Sequence, residues 1–312
     1  MQVAEEQQKM RLEDFLLDHF SCLSKMYLRD LVKTERCEVN GRNENIGYRL
    51  RSNDLIEIVV DPARETAMRP ENISLDIVFE DNHIIVVNKP AGMLVHPSHR
   101  ENNGTLLNAL SFYLNQSHEG EKRGGGEEGQ KEIEPEISLS PLLPFSSSSA
   151  IRPGLIHRLD KQTSGLIVVA KTAKAHRILS GHFMKKRVEK RYLALVDGIL
   201  DHDEGTIEAP IGRFAELKLW SVKEDGKHSE SRFWVRERYA DTTLIELEPV
   251  TGRTNQLRIH CEMIGHPIVG DAQRGGREFE RLCLHAYKLA FPHPITGDRS
   301  EFQREIQEGF GV

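Results

Sequence analysis

The sequence predicts an α+β protein. It has a mixed, largely antiparallel central sheet with flanking helices, and a small α/β module ahead of it. Three observations carry this. Short apolar runs of strand length outnumber the segments with helical periodicity. Residues 166–170 form an unbroken apolar run, and residues 192–196 are apolar on both faces, as in a central strand. Regular strand–helix–strand units and a glycine-rich phosphate loop are both missing, which removes the doubly wound nucleotide-binding folds.

In chain order, Leu12, Phe15, Leu16 and Phe20 share one helical face over residues 11–20. Ser24 is placed to cap a second helix reaching about Val32, with Leu28 and Leu31 inward. Val39-Asn40-Gly41 signals a tight turn. Tyr48, Leu50 and the alternation over 55–60 complete a module at residues 1–62. Residues 61–72, with Pro62 and Pro70, read as a linker. Strands at 77–79 and 84–87 flank a turn, and Thr105 heads a helix carrying Leu106, Leu107, Ala109 and Leu110. Residues 116–150, rich in Gly, Glu and Ser, bury too little apolar surface to offset their ordering entropy. They read as a disordered insertion inside one catalytic domain, 63–312.

Thr172 caps a helix to about Lys186, with Ala175, Ile178 and Leu179 inward. Strands follow near 192–196, 205–211, 215–222, 229–236 and 243–247. Thr254 is placed to cap a helix bearing Leu257, Cys261 and Ile264, which Gly265-His266-Pro267 ends. Residues 282–287 give a last central strand.

The 312 residues suffice for one large or two smaller domains, and 38% are hydrophobic. The four cysteines, Cys22, Cys37, Cys261 and Cys283, show no paired spacing. This speaks against a disulfide framework or a zinc knuckle and for reduced thiols. No apolar stretch is long enough for a membrane span. Glu5, Glu6, Glu13 and Asp14 argue against signal and transit peptides. A cytoplasmic monomer is expected, with nucleus or mitochondrion open for a eukaryotic source.

The formal net charge of −6 argues against a nucleic-acid partner, but its distribution does not. Residues 117–136 hold seven acidic and three basic side chains, whereas residues 152–191 hold eleven Lys or Arg against Asp160 and Glu189. That basic stretch suits nucleic acid, or else a solvated helix.

The chemistry centres on residues 156–166, Ile-His-Arg-Leu-Asp-Lys-Gln-Thr-Ser-Gly-Leu. Asp160 sits between Arg158 and Lys161 and leads into a buried strand. Nearby cations keep a carboxylate ionised, as a nucleophile or base requires. The alternative is a buried aspartate that ties a turn through backbone bonds. No metal-ligand spacing occurs, and Ser164 lacks the setting of a nucleophile elbow.

His157-Arg158-Leu159-Asp160 with Thr163-Ser164-Gly165-Leu166 resembles the first motif of the RluA-type pseudouridine synthase family. Lys190-Arg191-Tyr192 with Ala194, Val196 and Gly198 resembles the second. Thr251-Gly252-Arg253-Thr254, Gln256, Arg258 and His260, followed by residues 265–268 and Gly270-Asp271, resemble the third. Residues 88–92, 95–97 and 284–286 also fit, and the likeness covers about residues 75–298. The order of elements in 1–62 resembles an S4-type RNA-binding domain.

The resemblance implies the pseudouridine synthase fold and isomerisation of specific uridines in structured rRNA or tRNA, with mRNA as a further possible partner. It implies base flipping and no cofactor. Asp160 becomes the essential carboxylate, attacking C1′ or removing the 2′ proton. Tyr192 stacks on the uracil and serves in the last proton abstraction, and Arg253 pairs with Asp160. Leu257 packs on the base. Arg158 fills the gap or grips the backbone, and His157 supports the turn or contacts substrate. Lys89, Lys161 and Arg258 are substrate contacts. Asn255 stands where many relatives have histidine, so no proton transfer is expected there. The alternative is a catalytically weak or inactive RNA-binding protein of the same fold.

Overall fold

The computed structural model describes residues 1–20, 23, 25–60, 69–98, 101–120 (side chains to 116), 151–217, 219–306 and 310. The expected cap Ser24, most of the linker and residues 121–150 of the expected insertion lie outside the described residues. The chain divides into two compact units, Met1–Asn72 with Asn108–Arg152 and Ile73–Leu107 with Pro153–Val312.

In the first unit, helices α1 (Leu12–His19) and α2 (Lys25–Lys33) pack over a two-stranded sheet of β1 (Cys37–Val39) and β2 (Ile56–Ile58). Leu12, Phe15, Leu16, Leu28 and Leu31 are buried, as their helical spacing predicts. The N-terminal amides of α1 are satisfied from outside the helix. Leu12 N donates to Tyr48 O at 2.9 Å and Glu13 N to Ile46 O at 3.2 Å. Asn40 and Gly41 both take positive φ, 52° and 71°, the backbone of a two-residue type I′ turn. Helix α3 (Leu106–Gly120) is divided between the units at residue 107 and runs through residues 116–120, beyond the helix length the sequence suggests.

The second unit is built on an eleven-stranded sheet. Its main path runs β3 (Asp76–Glu80), β4 (Ile84–Lys89), β6 (Ser164–Ala170), β12 (Leu284–Pro292), β7 (Glu189–Asp197), β11 (Thr242–Pro249), β10 (Lys227–Arg238), β8 (Glu204–Phe214) and β9 (Leu219–Val222). Two short strands lie off the path: β5 (Gly154–Leu155) pairs β6, and β13 (Arg299–Gln303) pairs β12. Only the β6–β12 pairing is parallel among the described strands, so the mixed, largely antiparallel sheet expected from the sequence is present. Every residue of β6 is buried, in keeping with its unbroken apolar run. Helix α4 (Ala173–Met184) starts at the expected cap, with Thr172 Oγ1 accepting from Ala175 N at 3.2 Å.

Helix α5 (Gln256–Met263) corrects one expectation. Its N-cap is Asn255 rather than Thr254, in the left-handed conformation at φ 55°, with no side-chain capping bond. Asparagine tolerates that backbone better than most residues. Gly265, at φ 82°, closes the helix as expected, and His266 N donates to Cys261 O at 3.0 Å.

The sheet changes partners where β6 meets β12, at Ser164↔His285 and Gly165↔Ala286. Gly165 has φ 117°, and a Cβ there would lie 2.4 Å from Ala286 O. No other residue type fits. Beside it, His285 Nε2 bonds Arg304 O at 2.8 Å, which leaves Nδ1 to accept from the Ser164 hydroxyl at 2.8 Å. Arg281 also donates to Ser164 Oγ.

Gly165→Ala therefore combines backbone strain with a backbone clash, and we predict a loss of at least about 2–3 kcal/mol in urea unfolding. An unchanged unfolding midpoint would show that the strands separate freely here.

Candidate active site

Three segments of the second unit converge on one cleft, which Leu284 of β12 also lines. The β5–β6 loop brings Arg158, Leu159, Asp160 and Thr163, and β7 brings Lys190 and Tyr192. The segment from the end of β11 into α5 brings residues 249 and 251–258. The cleft encloses about 150 Å³. Among its lining residues Asp160 is the single carboxylate.

Asp160 is partly buried, in a turn closed by Thr163 N donating to Asp160 O at 3.1 Å. Burial pushes its carboxyl above the ordinary aspartate range. Arg258, then Arg158, Lys89 and Arg274, pull it back. No cation lies within ion-pair distance of it among the described residues. It is held by a surrounding positive field rather than by one clasping partner.

Arg258 dominates that field, and its guanidinium is fixed from the far side. Nε and Nη2 donate to the two oxygens of buried Asp271 at 2.7 and 2.6 Å, a bidentate pair of the strong kind. The expected pairing of Arg253 with Asp160 is not made. Arg253 Nε donates to His228 O at 3.0 Å, and its amide donates to Gln256 Oε1 at 2.9 Å. It precedes the left-handed Asn255, whereas Arg258 lies within the helix that follows. Arg253 still lines the cleft.

Gln256, buried just inside α5, organises this approach. Oε1 also accepts from Thr251 Oγ1 at 2.7 Å, while Nε2 donates to Glu230 O at 2.8 Å and Ser231 Oγ at 2.9 Å. All four of its hydrogen-bonding positions are used.

Tyr192 and Leu257 both line the cleft, as expected. Burial, and then the negative charge of Asp160, push the Tyr192 phenol well above its ordinary value. It is a protonated phenol at neutral pH. Burial likewise lowers Lys190. Arg158 is exposed at the cleft and makes no ion pair among the described residues.

Three expected substrate contacts are otherwise engaged. Lys89 is 1% exposed. Its Nζ donates to Pro90 O and Met93 O, each at 2.8 Å, and to Lys161 O at 3.2 Å. Burial lowers it to about 7, opposed by Asp160. It braces the Asp160 turn from beneath. Lys161 turns its own Nζ to Glu101 Oε1 at 2.7 Å and does not line the cleft. His157 accepts from Val168 N through Nε2 at 3.1 Å and stacks on Phe183 with ring centroids 4.7 Å apart. Burial, then Lys190, lowers it to about 3. It is a neutral support of β6, outside the cleft, which corrects its assignment as a substrate contact.

Residues 83–263 match the family described as RNA pseudouridylate synthase. The chain belongs to the RNA pseudouridylate synthase family. It is of the RluA type, and its activity is that of an RNA-modifying isomerase. The synthase is 36% identical to an RNA pseudouridine synthase of Bacillus subtilis, YlyB, over 98% of this chain and 93% of that one. It is 33% identical to the ribosomal large subunit pseudouridine synthase D of Haemophilus influenzae, over 99% and 91%. The structure of human RNA pseudouridylate synthase domain containing 1 is similar at a TM-score of 0.55 and 26% identity, covering 78% of this chain and 86% of that one.

Folding raises the Asp160 pKa, so the folded state holds that proton more tightly than the unfolded chain. Stability is then lost as pH rises through the window from the unfolded value of about 3.9 up to the raised folded one. Asp160→Asn should melt no lower than the wild type near neutral pH, with any advantage shrinking as pH falls toward about 4. Differential scanning calorimetry across that range checks this. A variant clearly less stable at neutral pH would mean that the ionised carboxylate holds the fold.

Proposed function

We propose that this synthase converts a uridine of large-subunit ribosomal RNA to pseudouridine, with Asp160 as the essential carboxylate. The observation that carries the reading is a partly buried carboxylate, the single one lining an open cleft, within the field of Arg258 and walled by Tyr192 and Leu257. A glycoside hydrolase would need a second carboxyl across the scissile bond, and the cleft lining has none. The choice of ribosomal RNA is supported by the names of several bacterial relatives.

The target base leaves its stack, at a cost of a few kcal/mol, and enters between Tyr192 and Leu257. Exposed Arg158 then occupies the vacated position or grips the backbone. Asp160 works by one of two routes. In the first, its oxygen bonds to C1′ as the N1–C1′ bond breaks and the uracil anion is released. In the second, it removes the 2′ proton and the sugar becomes a glycal. In either case the uracil rotates and C5 bonds to C1′, as the Asp160–C1′ bond breaks in the first route or as Asp160 returns its proton to C2′ in the second. The C5 proton then leaves and N1 takes one up, so Asp160 ends as the carboxylate. A protonated Tyr192 can accept that proton only by passing on its own. Asp160, whose charge reaches the phenol, is our assigned acceptor.

We further propose that residues 1–62 act as an S4-like RNA-binding module, supported by the order of their elements and the cationic stretch from Lys25 to Arg51.

Pseudouridine mapping of ribosomal and transfer RNA, with and without the gene, tests the substrate. The reading expects a large-subunit ribosomal uridine to lose modification, restored by the wild type and not by Asp160→Ala. Loss confined to transfer RNA would contradict the ribosomal assignment. Tyr192→Phe should lower kcat by about 10²-fold or more, the range of a proton-transfer group, with KM little changed. A kcat near the wild-type value would remove Tyr192 from the proton relay.

A further inference from the structure

A second groove, of about 390 Å³, adjoins the catalytic cleft. Its size is that of a small-ligand pocket. The two share Gly252, Arg253 and Thr254 as a common wall. The far side is formed by β8, β9 and the turn into β10, which present Arg213, Trp220, Lys223 and Lys227.

Three features distinguish this groove from an ordinary solvated hairpin. The first is its charge. Four cations line it against one carboxylate, Asp225, and that carboxylate is taken by Lys223 at 2.9 Å. Arg213 and Lys227 are exposed and make no ion pair among the described residues. Arg253 spends only Nε and its amide on the protein, so its terminal nitrogens are free of protein bonds among the described residues.

The second feature is the aromatic ring. Trp220 is half-buried in the groove and stands opposite Arg213 in the β8–β9 register. A ring with adjacent unpaired cations is the arrangement that takes an unstacked base and its phosphate.

The third is rigidity. Arg274, 5% exposed, donates from Nη2 to Trp220 O at 2.8 Å and from Nη1 to Glu262 Oε2 at 2.5 Å. It thereby ties the hairpin to α5, the helix that carries Arg258. Behind it, Gly226 is packed so closely on β8 that a Cβ would lie 2.6 Å from the Ile211 carbonyl carbon. The groove is fixed relative to the cleft before any ligand arrives.

We propose that this groove seats an unpaired nucleotide flanking the target uridine, its base on Trp220 and its phosphates on Arg213, Lys227 and Arg253. This rests on the reading of the cleft as a uridine site. Extrusion of the target loosens its neighbours, and a neighbour held on Trp220 would keep the strand from closing again. The groove would also make the choice of uridine depend on local single-strandedness, through stacking rather than base-edge hydrogen bonds.

The test uses the full chain and RNA extracted from cells lacking it. Trp220→Ala should raise KM about ten-fold, the scale of one lost base stack, with kcat at saturating RNA retained and Trp220→Phe restoring KM. Arg213→Ala combined with Lys227→Ala should reduce the salt dependence of RNA binding by one to two phosphate contacts. A photo-crosslinking benzoylphenylalanine in place of Trp220 should mark a nucleotide next to the modified uridine. If the wild type forms product while these variants keep its KM and salt slope, or if the crosslink falls far from the target, the groove assignment is overturned alone. If the wild type forms no pseudouridine in this RNA, the uridine reading fails and the groove assignment falls with it.

Discussion

The activity proposed for the second unit depends on keeping one carboxylate charged in a partly buried site. Burial pushes the Asp160 carboxyl toward its protonated form, which is inert as a nucleophile or base. The structure meets this with distributed positive charge, led by Arg258 and reinforced by Arg158, Lys89 and Arg274. A cation in direct contact would also keep the carboxylate ionised, but it would cover one of its oxygens. A cation held slightly away by another acid sustains the charge and leaves the face open. The bidentate Asp271 on Arg258 supplies that restraint.

The scaffold around this arrangement serves position more than binding. Lys89 gives all three of its protons to carbonyls, one of them next to Asp160 in the chain. Gln256 fills its four hydrogen-bonding positions to set the approach to α5. Gly165 lets β6 and β12 touch where the catalytic turn enters the sheet. Buried polar groups of this kind are costly when half-satisfied and rigid when complete. The Asp160 turn is thus held from below by a buried lysine, while Arg158 alone of the first motif's cations faces outward at the cleft.

Much of this was legible in the chain. The apolar run of β6, the Thr172 cap and the Asn40-Gly41 turn follow from local chemistry, and each appears where its residues place it. The family was legible through the order of the three motifs. What local chemistry could not supply was the direction of long side chains. Arg253 and Arg258 lie five residues apart in one motif, on either side of left-handed Asn255, and spacing alone does not say which one faces Asp160. Lys89 reads as a surface cation by composition, and only the folding of residues 90–93 and 161 around it provides the carbonyls that bury it. Strands β5 and β13 escaped because one is two residues long and the other, polar throughout except Phe302, has no apolar run to mark it.

The most direct test of this account is the pH dependence of single-turnover pseudouridine formation in Arg258→Gln and Arg253→Gln. If Arg258 sustains the charge of Asp160, its loss moves the acid limb of the profile to higher pH, and loss of Arg253 leaves that limb in place. The reverse pattern, with the limb moved by Arg253→Gln and unmoved by Arg258→Gln, would contradict the assignment.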